Sequence, residues 1–221
     1  MAASEAELRQ KIVEAGKRLH ARFFVASNDG NISARLSEDR FLITPTSVNK
    51  GDLAPADLLL VDAQGAVLSG TRKPTSEMKM HLAIYRARQN ICAVVHTHAV
   101  HASIVAVTGG EIPPLLDDQV AFLGGEIKVA DYALPGSPEL AANAVAALGP
   151  RNAALLANHG ALAVGRDLSE AFDNCELLEK TARIYALARM IGDVRPLPPH
   201  AIEAGKAAYA AKFGDAGASA F

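Results

Sequence analysis

The chain has 221 residues, of which 50% are hydrophobic and 21% are charged, values that predict one globular domain with a sizeable core. Its net charge of −2 and pI of about 6.4 leave no basic excess that would favour nucleic acid or anionic lipid as a partner. Cys92 and Cys175 form no C-x-x-C pair, and no signal peptide pattern or apolar run of membrane-spanning length is present. We therefore expect a cytoplasmic protein with reduced thiols that acts on a small molecule.

The N-terminal half predicts one helix, a polar loop and several short strands. Ser4 and Glu7 form a capping-box pattern ahead of apolar residues at helical spacing, so the first helix is expected to run to about Arg22. Residues 27–33 are rich in turn formers and predict a loop. Strands are predicted at 41–43, 58–62 and 66–68.

The C-terminal half alternates helices with two apolar strands. Thr75 or Ser76 is predicted to cap a helix that ends near Asn90, and Pro138 behind Ser137 starts another helix. The two strands are predicted at 91–95 and 153–157. Further helices are predicted after Ala99, over 168–190 and over 199–213. We expect one domain over residues 1–214 and a flexible tail over 215–221.

A histidine segment follows each of the two apolar strands. His96 and His98 are two residues apart, so a strand points both side chains the same way and both can bind one ion. Taken alone, this pair fits two packed or surface imidazoles equally well. His159 follows the second strand, and a sheet can bring it to the first pair. Three imidazoles with an open fourth position are typical of a catalytic metal site.

Glu77 lies at the start of the helix that precedes the His96 strand. Exposed amides and the helix dipole favour an anion there, so Glu77 alone indicates a stabilising charge at a helix start. The three histidines favour a different interpretation, in which this carboxylate works beside a metal.

Five short segments occur in the order seen in class II aldolases. They are Gly30-Asn31-Ile32-Ser33, Thr44-Pro45-Thr46-Ser47, Thr75-Ser76-Glu77, His96-Thr97-His98 and Asn158-His159-Gly160. The chain thus resembles the class II aldolase/adducin family, and within it the L-fuculose-1-phosphate aldolases, from the first helix to about Gly214. This resemblance implies a single-domain α/β fold with a mainly antiparallel central sheet flanked by helices. It also implies a homotetramer with active sites between subunits.

The resemblance also implies roles for the matched residues. His96, His98 and His159 would bind one divalent ion per subunit, zinc first, with manganese, cobalt or iron as alternatives. Glu77 would be the catalytic acid/base. The phosphate of a sugar substrate would bind to hydroxyls and backbone amides, supplied by Gly30, Asn31, Thr46, Ser47, Thr75 and Ser76. Ser47 stands where the family often has glycine, and Thr75 where it often has serine.

One departure from the family pattern concerns a second acid/base. Where the fuculose enzymes place a catalytic tyrosine, Asp117 stands in this chain, and it is a candidate for the same role. A carboxylate pair in a loop is also commonly a solvated turn, and Asp118, Tyr209 or another group could take the role instead. Four histidines match no family role and are interpreted as helix-face or surface residues: His20, His81, His101 and His200.

The implied activity is cleavage of a ketose 1-phosphate, either fuculose phosphate or a related deoxy-sugar phosphate, to dihydroxyacetone phosphate and an aldehyde. Dehydratases, decarboxylases and 4-epimerases of the superfamily need the same metal-stabilised enolate and are alternatives. A non-enzymatic adducin-like interaction domain is a further alternative. The complete set of three histidines and Glu77 argues against that last interpretation.

Overall fold

The computed structural model describes residues 4–214, and in that part of the chain it has eight strands and six α-helices. The strands are β1 (Asn31–Ser37), β2 (Arg40–Ile43), β3 (Leu59–Asp62), β4 (Val67–Ser69), β5 (Ala93–Thr97), β6 (Val129–Ala130), β7 (Ala153–Leu156) and β8 (Gly160–Gly165). The helices are α1 (Glu5–Ala21), α2 (Met78–Ala87), α3 (Val100–Thr108), α4 (Pro138–Leu148), α5 (Leu168–Ile191) and α6 (Pro199–Phe213). Gln119–Leu123 form a π-helical turn.

All eight strands belong to one sheet, in the order β4-β3-β2-β1-β5-β8-β7-β6. The neighbouring pairs are antiparallel except for β6 and β7, which are parallel. The expected α/β fold with a mainly antiparallel central sheet is therefore confirmed. β5 lies between β1 and β8, and this places Asn31 opposite His96 and Ala161 opposite Thr97.

Helices cover both faces of the sheet. α2 and α4 pack on one face together with Val94 of β5, while α1, α3 and α5 cover the other face, to which Ala93 and Val95 point. This alternation along β5 is the period of two that a strand imposes on its side chains. No helix within residues 4–214 is long and apolar enough to cross a membrane.

The capping box of Ser4 and Glu7 is present, and α1 and α5 match their predicted ranges closely. Three strands were not predicted, and they are β1, β8 and the two-residue β6. The predicted loop at 27–33 is wrong in its second half, because residues 31–33 begin β1. The predicted cap of α2 at Thr75 or Ser76 is also wrong, since Glu77 is the N-cap residue. The predicted tail at 215–221 lies outside the described residues.

Candidate metal centre and active site

Three histidines meet where β5 ends and β8 begins. One potential ligand atom from each of His96, His98 and His159 lies within 4.8 Å of those of the other two. His96 Nε2 is 3.1 Å from His98 Nε2, and His96 Nδ1 is 2.9 Å from the carbonyl oxygen of Ala161. That carbonyl fixes the orientation of a fully buried ring. The sheet therefore joins the two histidine segments, as the sequence predicted.

Two glycines allow the backbone to pass close to these rings. Gly30 has φ of 65°, and a Cβ there would lie 2.5 Å from Val25 Cγ1 and 2.9 Å from the carbonyl oxygen of His96. A Cβ at Gly160 would lie 2.3 Å from the carbonyl oxygen of Thr97 and 3.0 Å from the ring of His98. Any side chain at either position would displace the strand ends that carry the histidines.

Glu77 turns its carboxylate into the histidine cluster. It is the N-cap residue of α2, but its side chain makes no capping hydrogen bond. Its Oε2 is 3.1 Å from His96 Nε2 and its Oε1 is 3.2 Å from His159 Nε2. The Asn31 amide donates a hydrogen bond of 2.8 Å to Oε2. A carboxylate that only stabilised the helix start would not need these partners.

The charges at the centre follow from burial and from these contacts. Burial raises the pKa of Glu77, but His96, His159 and the Asn31 amide outweigh it, so the pKa of this carboxyl lies well below its usual range. Burial and the neighbouring His96 lower the pKa of both His98 and His159 to about 4. Near neutral pH, His98 and His159 are therefore uncharged, the form in which imidazole binds metal.

The donor set fits a divalent ion. Within residues 4–214, two buried polar atoms at the centre, Glu77 Oε1 and His159 Nδ1, have no hydrogen-bond partner, and an unsatisfied buried polar atom calls for a reason. Three imidazoles beside a carboxylate are ligands that zinc and related ions prefer. That His96, His98 and His159 are the ligands stays a prediction.

The predicted phosphate segments lie side by side near this centre. The Thr46 amide donates to the carbonyl oxygen of Lys73 at 3.0 Å, and the Thr75 amide donates to that of Thr44 at 3.1 Å, so segments 44–47 and 73–76 are joined. Ser47 is exposed and has φ of 58°, a conformation that favours glycine. A glycine, which the family resemblance implies at this point, would adopt this conformation without strain.

A buried lysine joins the Gly30 loop to the same segments. The Lys50 ammonium donates hydrogen bonds to the carbonyl oxygens of Asn28 at 3.3 Å and of Val48 at 2.6 Å. Its side chain is 1% exposed. The three segments predicted to hold phosphate are thus brought together by strand pairing and by this one cation.

The Asp117 loop is not part of the cluster within one chain. Asp117 is exposed, and within residues 4–214 no hydrogen bond or ion pair joins it to Glu77 or to the three histidines. Asp118 caps the π-helical turn and forms an ion pair of 2.6 Å with Lys180. The catalytic role of Asp117 stays a prediction.

Tyr209 and Phe213 are also held away from the histidines. The Tyr209 hydroxyl lies 2.7 Å from the carbonyl oxygen of Pro150 and 3.0 Å from Asn152 Oδ1, just before β7 begins. His159 follows the end of β7, which is roughly 13 Å away at about 3.3 Å per residue. Phe213 is buried against Arg166. Within one chain, neither ring reaches the centre.

Sequence reasoning missed the polar side chains behind Glu77. His81 was interpreted as a helix-face or surface histidine, and this is wrong, because His81 is fully buried and contacts Asn31 and Ser33. The usable signal was spacing: Glu77, His81 and Tyr85 are four residues apart on one helix face. His20 and His200 are exposed as expected, and His101 is half-buried against Glu179.

Comparisons with known proteins agree with this geometry. Residues 10–186 match the model of the class II aldolase and adducin N-terminal domain. A 5-deoxy-D-ribulose 1-phosphate aldolase of Bacillus thuringiensis is 35% identical over 88% of this chain and 92% of its own length. A 3-oxo-tetronate 4-phosphate decarboxylase of Haemophilus influenzae is 34% identical over 81% and 88%. A solved L-fuculose 1-phosphate aldolase is 35% identical, covers 94% of this chain and 97% of its own, and superposes with a TM-score of 0.88.

The chain therefore belongs to the class II aldolase and adducin family. It is an enzyme of the metal-dependent lyase type, and the expected resemblance to the fuculose phosphate aldolases is confirmed. The three relatives differ in the substrate that their names give, so the family assignment leaves the substrate open.

Proposed function

We propose that this enzyme cleaves a ketose 1-phosphate, fuculose phosphate or a related deoxy-sugar phosphate, to dihydroxyacetone phosphate and an aldehyde. The observation that carries the proposal is Glu77, whose carboxylate oxygens lie 3.1 Å and 3.2 Å from ring nitrogens of His96 and His159. A base in that position can move a proton on a substrate bound at the histidine cluster. The names of two relatives, which act on deoxyribulose and fuculose 1-phosphates, support this substrate class.

In this proposal His96, His98 and His159 hold one divalent ion, and zinc fits three imidazoles with an open fourth position. The ion would supply positive charge beside the substrate oxygens as the carbon–carbon bond breaks. Glu77 takes and returns the proton at the dihydroxyacetone phosphate carbon. Backbone amides and hydroxyls of the phosphate segments hold the other end of the substrate, and these are Gly30, Asn31, Thr46, Ser47, Thr75 and Ser76.

A second acid/base would serve the oxygen of the leaving aldehyde. We assign this role to Asp117, which is exposed on its own chain and therefore accessible to a site on a neighbouring subunit.

The same arrangement requires an oligomer, and we propose a homotetramer. Exposed apolar side chains of α3, Val100, Ile104 and Val107, form a stripe that supports an interface there. Light scattering should give a tetramer, and a clean monomer at micromolar concentration would contradict it.

The two cysteines are free thiols, which supports a location in the cytoplasm.

Decarboxylation is the second candidate reaction, favoured by the identity of 34% to a 3-oxo-tetronate 4-phosphate decarboxylase. It needs the same cluster of histidines but releases carbon dioxide instead of an aldehyde.

The test is a product assay on the metal-loaded protein. Fuculose 1-phosphate, 5-deoxyribulose 1-phosphate and 3-oxo-tetronate 4-phosphate are each incubated with enzyme, and release of dihydroxyacetone phosphate and of carbon dioxide is measured. We expect dihydroxyacetone phosphate from a ketose 1-phosphate, and loss of the activity in a chelator that is restored by zinc. Carbon dioxide from the third substrate alone would replace the aldolase proposal with the decarboxylase.

A further inference from the structure

Five buried side chains form a continuous chain of contacts behind the catalytic centre. Asn31 Nδ2 lies 2.8 Å from Glu77 Oε2, and Asn31 Oδ1 lies 2.5 Å from His81 Nε2. His81 Nδ1 lies 2.6 Å from Ser33 Oγ, which lies 2.8 Å from the Tyr85 hydroxyl. None of the five residues is more than 5% exposed. Water therefore does not compete with these hydrogen bonds.

Two spacings in the sequence place these groups together, one of two residues on a strand and one of four residues on a helix. Asn31 and Ser33 are two apart on β1, so both point to the sheet face that carries α2, whereas Ile32 belongs to the core of the opposite face. His81 and Tyr85 follow Glu77 at intervals of four on α2 and point back to β1. The chain of contacts thus joins β1 to α2.

The Glu77 end fixes the direction of the first two hydrogen bonds. Because an ionised carboxylate only accepts hydrogen bonds, the Asn31 NH₂ group must face Glu77. Asn31 Oδ1 then faces His81 and needs a donor, which must be the Nε2–H of His81. Turning the amide over would set Oδ1 against the carboxylate and the NH₂ group against that N–H, two repulsive contacts.

The remaining bonds follow in the same direction. Burial lowers the pKa of His81 to about 3, so the ring is neutral and its Nδ1 is an acceptor. Ser33 must therefore donate its one proton to Nδ1, and the Tyr85 hydroxyl donates in turn to Ser33 Oγ. Burial also raises the pKa of Tyr85 well above its usual range, which keeps that donor protonated.

We infer that His81 is a positioning residue, which holds the Asn31 amide in one orientation and through it aims the Glu77 carboxylate at the substrate. The inference rests on the proposed function, in which Glu77 moves the proton. Without the N–H of His81, Asn31 Oδ1 is buried without a partner and nothing prevents the amide from turning over. Glu77 would then lose its one hydrogen-bond donor from Asn31 and its fixed direction.

Three variants separate positioning from simple destabilisation. His81→Leu removes both ring nitrogens at similar volume, and His81→Gln can still donate to Asn31. Leu82→Ala is the matched control, because Leu82 is a buried neighbour on the same helix with no polar role. Each zinc-loaded protein is assayed for exchange of the dihydroxyacetone phosphate proton with deuterated water. Zinc content and thermal stability are measured on the same samples.

We expect His81→Leu to bind zinc normally and to lose about 10- to 100-fold in kcat for exchange, with little change in KM. His81→Gln should recover most of the loss, and Leu82→Ala should be less stable but retain its kcat. Wild-type kcat in His81→Leu, or an equal loss in Leu82→Ala, would overturn the inference.

A measurement without substrate keeps this inference separate from the proposed function. Nitrogen-15 spectra of histidine-labelled, zinc-loaded wild type should show His81 neutral with its proton on Nε2, assigned by its absence in His81→Gln. A proton on Nδ1 would overturn the inference whatever the enzyme's activity. If wild type exchanges no proton of dihydroxyacetone phosphate, the proposed function fails, and the spectrum alone decides for or against the orientation of Asn31.

Discussion

The Glu77 centre and the Asp117 loop differ in how many contacts hold them within one chain. Glu77 is 5% exposed and is surrounded by His96 and Asn31, which lie on strands, and by His159, which directly precedes β8. Asp117 is exposed, and its neighbour Asp118 is occupied by a helix cap and an ion pair with Lys180. One half of the predicted chemistry is thus built into a single chain, while the other half depends on a contact that this chain alone does not make.

The largest expected effect is the loss of the third histidine. His159→Ala should lose bound zinc and all metal-dependent turnover, because two imidazoles do not complete a stable site. Metal analysis of the purified protein measures this directly. His200→Ala is the control, since His200 is an exposed histidine on α6. Full zinc and turnover in His159→Ala would show that the third ligand is assigned wrongly.

Replacement of Glu77 by Gln should leave zinc bound but lower turnover by about 10²–10⁴-fold, the usual loss for general acid/base catalysis. Proton exchange should fall in parallel, because it needs the same base. Glu139→Gln is a matched control, since Glu139 is an exposed acid in the first turn of α4. A charge at a helix start is worth only ~0.3–1 kcal/mol of stability. Wild-type exchange in Glu77→Gln would exclude it as the base.

The variant Asp117→Asn tests the second region, the Asp117 loop. If Asp117 accepts the proton from the substrate hydroxyl that becomes the aldehyde oxygen, cleavage should fall by about 10²-fold, while proton exchange is unchanged because it needs no aldehyde. Asp118→Asn should instead affect stability slightly, by removing the ion pair with Lys180. Equal cleavage by wild type and Asp117→Asn would leave the second acid/base to Tyr209 or another group.

The smallest effect concerns Lys50, which joins the loops beside the centre. Burial lowers its pKa to about 8 in the folded protein, whereas in the unfolded chain it stays protonated to about pH 10.4. Between these values the unfolded state binds the extra proton, so this group makes stability rise with pH, by about 1 kcal/mol per unit at most. Urea unfolding from pH 8 to 10 should show that contribution in wild type and in Lys73→Met, an exposed control, but not in Lys50→Met.

The sequence predicted most helices and the residues of the histidine cluster, because their signals are local. Capping residues and apolar spacing are recognised within a few positions, and each histidine segment was recognised by the apolar strand just before it. β1 was not predicted, because Asn31 and Ser33 are polar, as loop residues commonly are. In the structure their polar side chains contact Glu77 and His81. β8 was not predicted for another reason. It carries small residues because α5 packs close to it, and a Cβ at Gly165 would lie 2.4 Å from the Ala171 amide.

The position of β5 between β1 and β8 also sets an order of events during synthesis. β1 and β5 can pair once about the first 97 residues are available, but β8 extends to Gly165. Because domains are completed only as the chain emerges from the ribosome, a nascent chain carries the His96 pair long before His159 can join it. If these three imidazoles bind the divalent ion as proposed, its capture is a late step in biogenesis, after three quarters of these 221 residues have been made.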